Sequence, residues 1–215
     1  MSNTKDRGRL IVLEGIDGAG KTTQAERLEA HLLAQGRRVA RTAEPTGFPT
    51  GVALRAALGG KVKKSECEMA ALFVEDRIAH NLHPTEGIEV LLAQGIDLIC
   101  DRYYYSTLAY QGHATDYEWV KSMNLLCPDI RKPDLCIYLD LTPEQSLERI
   151  RAGRDSVEIY ENEETLRRVR SAFLRVLSDL GQTDRIAIVD AYRAPEVIAK
   201  EIADLVDSLT PSNEQ

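Results

Sequence analysis

Short apolar runs alternate along this chain with segments in which apolar residues recur every three to four positions. The runs predict five β-strands, because strands that are buried on both faces of a parallel sheet are almost continuously apolar. They cover residues 9–14, 38–42, 97–100, 135–141 and 185–189. The periodic segments between them predict helices. This alternation indicates an α/β fold, a doubly wound five-stranded parallel sheet flanked by helices and joined by right-handed crossovers.

Capping and breaking residues set the predicted helix boundaries. Residues 65–68 and 142–145 have the pattern of capping boxes, so a helix should begin in each. Pro84 predicts the first turn of a helix that runs to residue 95. Two prolines and two glycines within residues 44–51 predict a loop through that whole segment. Further helices are predicted over residues 21–35, 52–58, 116–126, 166–180 and 195–209.

Composition narrows the class of protein. With 215 residues, 43% hydrophobic and 28% charged, and no linker-like segment, we expect one globular domain over residues 1–215. A net charge of -7 disfavours general binding to nucleic acid or to an anionic membrane. The polar start of the chain and the short apolar run behind it predict no signal peptide or membrane span, hence a cytosolic protein. The four cysteines lack C-x-x-C spacing, so we expect neither disulfides nor a metal site from them.

A phosphate-binding loop is predicted between the first strand and the first helix. Residues 15–22 read G-I-D-G-A-G-K-T, which fits the P-loop pattern G-x-x-x-x-G-K-[ST]. Lys21 would neutralise the β- and γ-phosphates of a nucleoside triphosphate, and the Thr22 hydroxyl would bind Mg²⁺. Backbone N–H groups of the loop would surround the phosphates. The predicted nucleotide-binding residues are Gly15, Ile16, Asp17, Gly18, Ala19, Gly20, Lys21, Thr22 and Thr23.

Asp101 and Arg102 directly follow the third predicted strand. In an open α/β sheet this end of the strand faces the same edge as the phosphate loop. Asp101 is placed like a Walker B aspartate that holds Mg²⁺ or its water shell, and the fork of Arg102 suits a phosphate. The alternative is an ion pair at the surface end of a strand.

Arg149, Arg151 and Arg154 form a basic group within a polar segment, residues 149–164, which we expect to be a mobile, exposed lid. The first two are two positions apart and would not share a face of a continuous helix, so a solvated helix end is the alternative. The variable positions of the phosphate loop carry no positive charge. A closing lid would therefore supply the arginine that stabilises the transferring phosphoryl group.

Phe73 and Arg77 are one helical turn apart and share a face of a predicted helix. An aromatic ring and a guanidinium could together bind a nucleobase by stacking and hydrogen bonding. Phe73 also fits the apolar stripe of the helix, so a position in the core is the alternative. The residues alone leave both interpretations open.

Five motifs, in order and over nearly the whole chain, resemble thymidylate kinases of the bacterial and archaeal kind. They read E-G-I-D-G-A-G-K-T-T-Q at 14–24, E-P at 44–45, L-F…D-R at 72–77, D-R-Y-Y-Y-S-T-L-A-Y-Q-G at 101–112 and P-D-L…Y-L-D at 133–140. The run D-R-Y-x-x-S-x-x-A-Y-Q-G is the most specific, because adenylate, guanylate and shikimate kinases share only the phosphate loop. The resemblance implies a P-loop NTPase fold and transfer of phosphate from ATP to dTMP with Mg²⁺, giving ADP and dTDP for dTTP synthesis. It also implies a homodimer.

The resemblance further implies roles for individual residues. Phe73 would stack on thymine and Arg77 would hydrogen-bond its carbonyl, while Tyr110 would favour deoxyribose. Asp17 would meet the sugar 3′-OH or the metal region, and Arg102 would bind the dTMP phosphate. The full set of implied substrate-binding residues is Asp17, Glu44, Phe73, Arg77, Arg102, Ser106, Thr107, Tyr110 and Gln111.

The phosphate loop is similar to that of family members whose catalytic arginine lies in the lid. This chain departs from the family in lacking the common D-R-x-E run of the lid, so Arg149, Arg151 and Arg154 all remain candidates beside Lys21 and Arg102. A kinase for another nucleoside monophosphate is the closest rival. A P-loop regulatory switch is a more distant rival, because a guanine-reading N-K-x-D motif is absent from the sequence.

Overall fold

A parallel β-sheet of five strands organises the part of the chain that this computed structural model describes, residues 7–153 and 163–209. The strands are β1 (Leu10–Glu14), β2 (Arg38–Ala43), β3 (Ile96–Asp101), β4 (Leu135–Asp140) and β5 (Ile186–Asp190). Their order is β2-β3-β1-β4-β5, and every neighbouring pair is parallel. The predicted parallel sheet and its strands are confirmed, with boundaries that differ by one residue at most ends.

Helices connect these strands. In the described ranges they are α1 (Lys21–Ala34), α2 (Pro49–Leu58), α3 (Glu66–Leu82), α4 (Ile88–Ala93), α5 (Tyr104–Ala114), α6 (Tyr117–Leu125), α7 (Pro143–Gly153), α8 (Glu163–Leu180) and α9 (Pro195–Asp207). Helix α1 packs against α9, and α5 packs against α3, α6 and α8. Within the described residues, no helix carries an apolar stretch long enough to cross a membrane.

Proline explains two of the predicted boundaries that are wrong. Helix α4 begins at Ile88 instead of Pro84, because His83 before the proline is held in an extended conformation (φ -55°, ψ 128°) and a turn follows. Helix α2 begins at Pro49, so the predicted loop ends at Phe48. There the fixed φ of proline suits the first helical position, whose N–H needs no partner inside the helix.

The two predicted capping boxes are confirmed. Ser65 Oγ accepts from Glu68 N at 3.2 Å, and Glu68 Oε2 accepts from Ser65 N at 2.8 Å. At the start of α7, Thr142 Oγ1 accepts from Gln145 N at 3.3 Å and Gln145 Oε1 accepts from Thr142 N at 2.9 Å. Each box satisfies N–H groups that the helix itself leaves without acceptors.

The segment predicted as a lid is partly helical. Residues 149–153 continue α7, and residues 163–164 begin α8, three residues before the predicted start of that helix. That the segment acts as a mobile, exposed lid stays a prediction. Leu147 and Ile150 are buried one helical turn apart, so the apolar face of α7 continues between Arg149 and Arg151. Arg154 lies outside the described residues.

The order of the strands brings the predicted site segments to one edge. Strand β1 is fully buried between β3 and β4, with Leu13 opposite Asp101 and Glu14 opposite Tyr138. Because all strands are parallel, the phosphate loop after β1 and the end of β3 leave the sheet at the same edge. Glu44, which follows β2, is tied to this edge by a hydrogen bond from its N–H to Asp101 O at 3.1 Å.

At the other edge of the sheet, a buried carboxylate joins the amino ends of β1, β2 and β3. Asp97 at the start of β3 accepts from Arg9 N at 2.8 Å and Arg9 Nη2 at 2.7 Å, and from Arg37 Nη2 at 2.8 Å. Burial alone would raise the pKa of Asp97, but the hydrogen bonds from Arg37 and Arg9 lower it below its ordinary value. The ionised carboxylate therefore stabilises the fold.

We predict that Asp97→Asn lowers the free energy of unfolding by about 2 kcal/mol, since charge-assisted hydrogen bonds of a buried group are lost. Urea unfolding at pH 7 measures this, with Asp204→Asn as the control because Asp204 forms an exposed ion pair with Lys200. The native pKa of Asp97 is depressed, so the difference should be complete above its ordinary value of 3.8 and should shrink as the pH falls below it. Equal losses for both variants would contradict the prediction.

Candidate active site

The phosphate loop has the backbone that its glycines predict. Gly15 and Gly20 have φ of 148° and 91°, in the left-handed region that side chains rarely adopt. A Cβ on Gly15 would also lie 2.8 Å from Leu139 O, so the loop passes too close to β4 for a side chain. Helix α1 begins directly after Gly20, which leaves its first N–H groups facing the loop.

Lys21 points back into this loop. It is buried, and its Nζ donates to Gly15 O at 3.1 Å and to Ile16 O at 3.3 Å. Burial and the positive charge of Arg102 lower the pKa of Lys21 to about 8, although nearby carboxylates, led by Asp101, oppose the shift. Burial and a neighbouring cation thus both disfavour the charged form of Lys21, and an anion bound at the loop would stabilise it.

Helix α7 packs directly on the phosphate loop, a contact that the sequence analysis did not predict. Ser146 Oγ donates to Asp17 O at 2.7 Å. A Cβ on Gly18 would lie 3.1 Å from Ser146 O, so the loop and the helix are in close contact. The helix that carries the first basic lid residues is thereby anchored to the nucleotide-binding loop.

A small cavity of about 240 Å³ lies beside the phosphate loop. Its lining residues are Gly18, Ala19, Gly20, Thr23, Gln24, Arg149, Pro195 and Ile198. Arg149 is held there by a hydrogen bond from Nη2 to Ala191 O at 2.6 Å. Arg151 is exposed and lines neither this cavity nor the larger one described below. Of the two candidate lid arginines that the structure describes, Arg149 is the one beside the loop.

Arg102 lies between the phosphate loop and α5. Its φ of 68° makes it the one non-glycine residue with positive φ in the described ranges. Nη2 donates to Asp17 Oδ1 at 2.6 Å, Nη1 donates to Ser106 Oγ at 3.1 Å, and the guanidinium carbon lies 5.8 Å from the centre of the Tyr110 ring. Burial alone would lower the pKa of Arg102, but Tyr110 and nearby carboxylates, led by Asp17, raise it. Arg102 stays charged.

Glu14, the last residue of β1, is a site residue that the sequence analysis did not single out. It is fully buried, and its Oε1 accepts from Tyr103 N at 2.8 Å and from Ser106 N at 3.1 Å, at the start of α5. Oε2 accepts from Ser106 Oγ at 2.6 Å. Burial raises the pKa of Glu14, while Arg102 and these hydrogen bonds oppose the shift. An acidic residue in an otherwise apolar strand was the signal that could have identified it.

Asp101 ends β3 beside these groups. Its Oδ1 is buried and has no hydrogen-bond partner, one of four such side-chain atoms in the described part of the chain. A buried carboxylate oxygen without a donor is costly unless a cation binds it. The hydroxyl-bearing Thr22 is exposed near the start of α1. Both are oxygen ligands of the kind that Mg²⁺ prefers.

A cavity of about 920 Å³ opens on the other side of Arg102. All nine residues that the sequence analysis assigned to substrate binding line it, namely Asp17, Glu44, Phe73, Arg77, Arg102, Ser106, Thr107, Tyr110 and Gln111. Residues that the sequence analysis did not single out, including Met69, Thr165 and Arg168, also line it. The volume suits a ligand of nucleotide size.

Phe73 belongs to this cavity. It is half-buried, lines the cavity and lies outside the buried hydrophobic core of the described residues. Of the two alternatives that the sequence left open, the structure therefore favours a ring that faces a ligand.

Arg77 forms the buried floor of the cavity. Its Nε and Nη2 donate to Glu44 Oε2 at 2.9 and 2.6 Å, Nη2 also donates to Thr107 Oγ1 at 3.1 Å, and Nη1 donates to Asn124 Oδ1. His80 Nδ1 lies 2.9 Å from the other oxygen of Glu44. A guanidinium has five N–H groups, so these four bonds leave one Nη1 hydrogen for a ligand.

The thymidylate kinase family model matches residues 13–202. The chain belongs to the thymidylate kinase family. A probable thymidylate kinase from Methanococcus aeolicus is 40% identical over 172 residues, 80% of each chain. One from Pyrococcus horikoshii is 37% identical over 93% of this chain and 96% of its own length. A thymidylate kinase from Xanthomonas oryzae pv. oryzae (strain PXO99A) is 42% identical over 79% of this chain and 72% of its own.

We predict that nucleoside triphosphate binding by this family member weakens as the pH rises through about 8, because Lys21 then loses its charge. Titration with a fluorescent ATP analogue between pH 6.5 and 9.5 measures the effect. Lys21→Met should bind about tenfold more weakly at pH 7 and should show no weakening in this range. A pH-independent affinity in the wild type would contradict the prediction.

Proposed function

We propose that this chain transfers the γ-phosphoryl group of ATP to dTMP, giving ADP and dTDP. One observation carries the proposal above the others: Arg102 lies between the phosphate loop and a cavity lined by every residue that the family resemblance assigns to dTMP. A guanidinium in this position can contact an acceptor phosphate while it faces the donor.

The donor would bind at the phosphate loop. Its N–H groups and Lys21 would contact the phosphates, and the small cavity beside Thr23 and Arg149 would receive the far end of the nucleotide. Arg149 is therefore the lid arginine whose described position best supports a role at the donor. Catalytic roles for Arg151 and Arg154 remain proposals from the sequence.

Mg²⁺ would be held by Thr22 and Asp101. The buried Oδ1 of Asp101 without a donor and the exposed hydroxyl fit an oxygen-ligated cation. When bound, Mg²⁺ neutralises charge on the triphosphate.

The acceptor would bind in the large cavity. Phe73 would stack on thymine, and the free Nη1 hydrogen of Arg77 would donate to a base carbonyl. Ser106 and Thr107 would line the base pocket. Tyr110 would close the space beside the deoxyribose.

The remaining contacts concern the sugar and the floor of the cavity. Asp17 would meet the 3′-OH, and Gln111 would line the cavity near the sugar. Glu44 would act by holding Arg77 in place.

The reaction needs alignment and charge stabilisation more than proton transfer. The acceptor phosphate has its second pKa near ~6 and is already anionic at neutral pH, so a strong general base is unnecessary. Arg102 would hold this phosphate in line with the donor while Lys21 neutralises charge on the transferring group. A lid over the bound substrates, as expected from the sequence, would exclude water, the competing acceptor.

We predict that the purified protein with ATP and Mg²⁺ phosphorylates dTMP at least tenfold more efficiently than UMP, CMP, AMP or GMP. The stacking ring, the single free donor of Arg77 and the closed sugar pocket at Tyr110 all favour a thymine deoxynucleotide. Coupled detection of ADP gives kcat/KM for each acceptor. Equal efficiency with UMP would reject the assignment to dTMP, and ATP hydrolysis unaffected by any acceptor would favour a regulatory switch.

We also predict that Asp101→Asn raises the Mg²⁺ concentration needed for half-maximal activity by about tenfold, because a neutral amide binds a hard cation more weakly than a carboxylate does. Rates measured across a Mg²⁺ titration at saturating ATP test this. Asp204→Asn, at an exposed position on α9, is the matched control and should leave the titration unchanged. An unchanged Mg²⁺ requirement in Asp101→Asn would exclude Asp101 as a ligand.

The homodimer and the cytosolic location remain predictions. Leu82 at the end of α3 and Leu126 directly after α6 are exposed by 51% and 79%, and burial of such apolar side chains would favour self-association. Sedimentation would distinguish a species of twice the 24.0 kDa chain mass from a monomer.

A further inference from the structure

Four side chains form a chain of hydrogen bonds that runs from the last residue of β1 to the phosphate loop. Glu14 Oε2 accepts from Ser106 Oγ at 2.6 Å, and Ser106 Oγ accepts from Arg102 Nη1 at 3.1 Å. Arg102 Nη2 then donates to Asp17 Oδ1 at 2.6 Å. Glu14 and Asp17 flank the first turn of the phosphate loop, so the guanidinium is held from both ends of that turn.

The conformation of Arg102 is costly unless other groups stabilise it. Arg102 has a left-handed backbone, which costs free energy for a residue other than glycine. An arginine side chain also has many rotamers, so fixing its guanidinium costs entropy unless partners define one position. The hydrogen bonds that Nη1 donates to Ser106 and Nη2 donates to Asp17 fix the guanidinium in one position.

The Ser106 hydroxyl is already committed. Its one hydrogen is donated to Glu14, so it cannot also donate to a nucleobase while this arrangement holds. Glu14 is fully buried and lines neither described cavity, so it does not contact a ligand there. The hydroxyl of Ser106 links Glu14 Oε2 to Arg102, while Glu14 Oε1 accepts from the backbone at the start of α5.

We propose that Glu14 and Ser106 are positioning residues, which act through Arg102 on the phosphate of the acceptor. This inference rests on the proposed function, because it assigns that phosphate to Arg102. It differs from the base-pocket role that the family resemblance implies for Ser106.

Comparison of dTMP with thymidine separates the two roles, because thymidine has the base and sugar without the phosphate. In Ser106→Ala the dissociation constant of dTMP should rise by about tenfold, and that of thymidine should change by less than about twofold. Calorimetric titration of both ligands into the full chain measures these constants. Equal weakening of both ligands, or of neither, would overturn the inference.

Failure of the proposed function would look different. If the wild-type protein bound dTMP no more tightly than thymidine, the assignment of Arg102 to the acceptor phosphate would itself be wrong. If the wild type preferred dTMP and Ser106→Ala kept the same preference, only the positioning role would be rejected.

A double-mutant cycle tests whether the effect passes through Arg102. In an Arg102→Ala background, adding Ser106→Ala should weaken dTMP binding by less than about twofold, since the group that it positions is gone. A full tenfold further loss would show that Ser106 acts on the ligand directly and would overturn the inference.

Glu14→Gln provides a second, independent variant. The amide keeps one acceptor for the backbone N–H groups of Tyr103 and Ser106 but removes the second carboxylate oxygen and the charge. We expect the same selective loss of dTMP binding in this variant. An equal loss of thymidine binding would show that Glu14 only caps α5 and would overturn its positioning role. Ser122→Ala is the control, because the exposed Ser122 donates only to Glu118 O within α6.

Discussion

The central position of β1 determines where every functional group of this protein lies. The strand is buried on both faces and paired with β3 and β4, so its carboxyl end can leave the sheet in only one direction. The phosphate loop begins there, and the parallel pairing brings Asp101 and Arg102 beside it. A shift of one residue in the register of β1 would move Glu14 away from α5 and would separate the loop from Arg102.

This arrangement concentrates charge before any ligand binds. Lys21 is close enough to Arg102, Glu14, Asp17 and Asp101 for the charge of each to affect its pKa. Burial and a neighbouring cation lower the pKa of Lys21 from its ordinary value of 10.5 to about 8, so the folded state loses stability as the pH falls between these values and carries the full cost below them. Binding sites commonly carry such a cost, because their charged groups are placed to contact a ligand and do not fully stabilise one another.

Much of this could be predicted from the sequence, because local signals agreed with the overall fold. The apolar runs marked all five strands, and the glycines before Lys21 marked the phosphate loop. Pro84 misled the prediction, since the rule that places proline in the first helical turn competes with the effect of proline on the residue before it. The role of Phe73 needed the structure, because a side chain on an apolar stripe can face the core or a cavity. Glu14 also needed it, because its partners are about 90 residues away in sequence.

The residues of the site also divide into those that the family motifs indicate and those that only the structure shows. The family resemblance implied nine of the residues that line the large cavity, and the motifs that carry it follow strands or occupy one helix face. It could not identify residues that act behind that surface, such as Asn124 and His80, because their positions depend on the packing of α3 and α6.

The hydrogen bonds of the buried Arg77 guanidinium also determine which bases it would disfavour. Four of its N–H groups are bound by Glu44, Thr107 and Asn124, so it meets a ligand as a donor with no acceptor capacity. If the 4-position of the base faces Arg77, the carbonyl of thymine would satisfy the remaining hydrogen, whereas the 4-amino group of cytosine would place two donors against each other. Selectivity against cytosine would then come from a penalty on the wrong ligand, and the Glu44 carboxylate would enforce it by fixing the guanidinium in place.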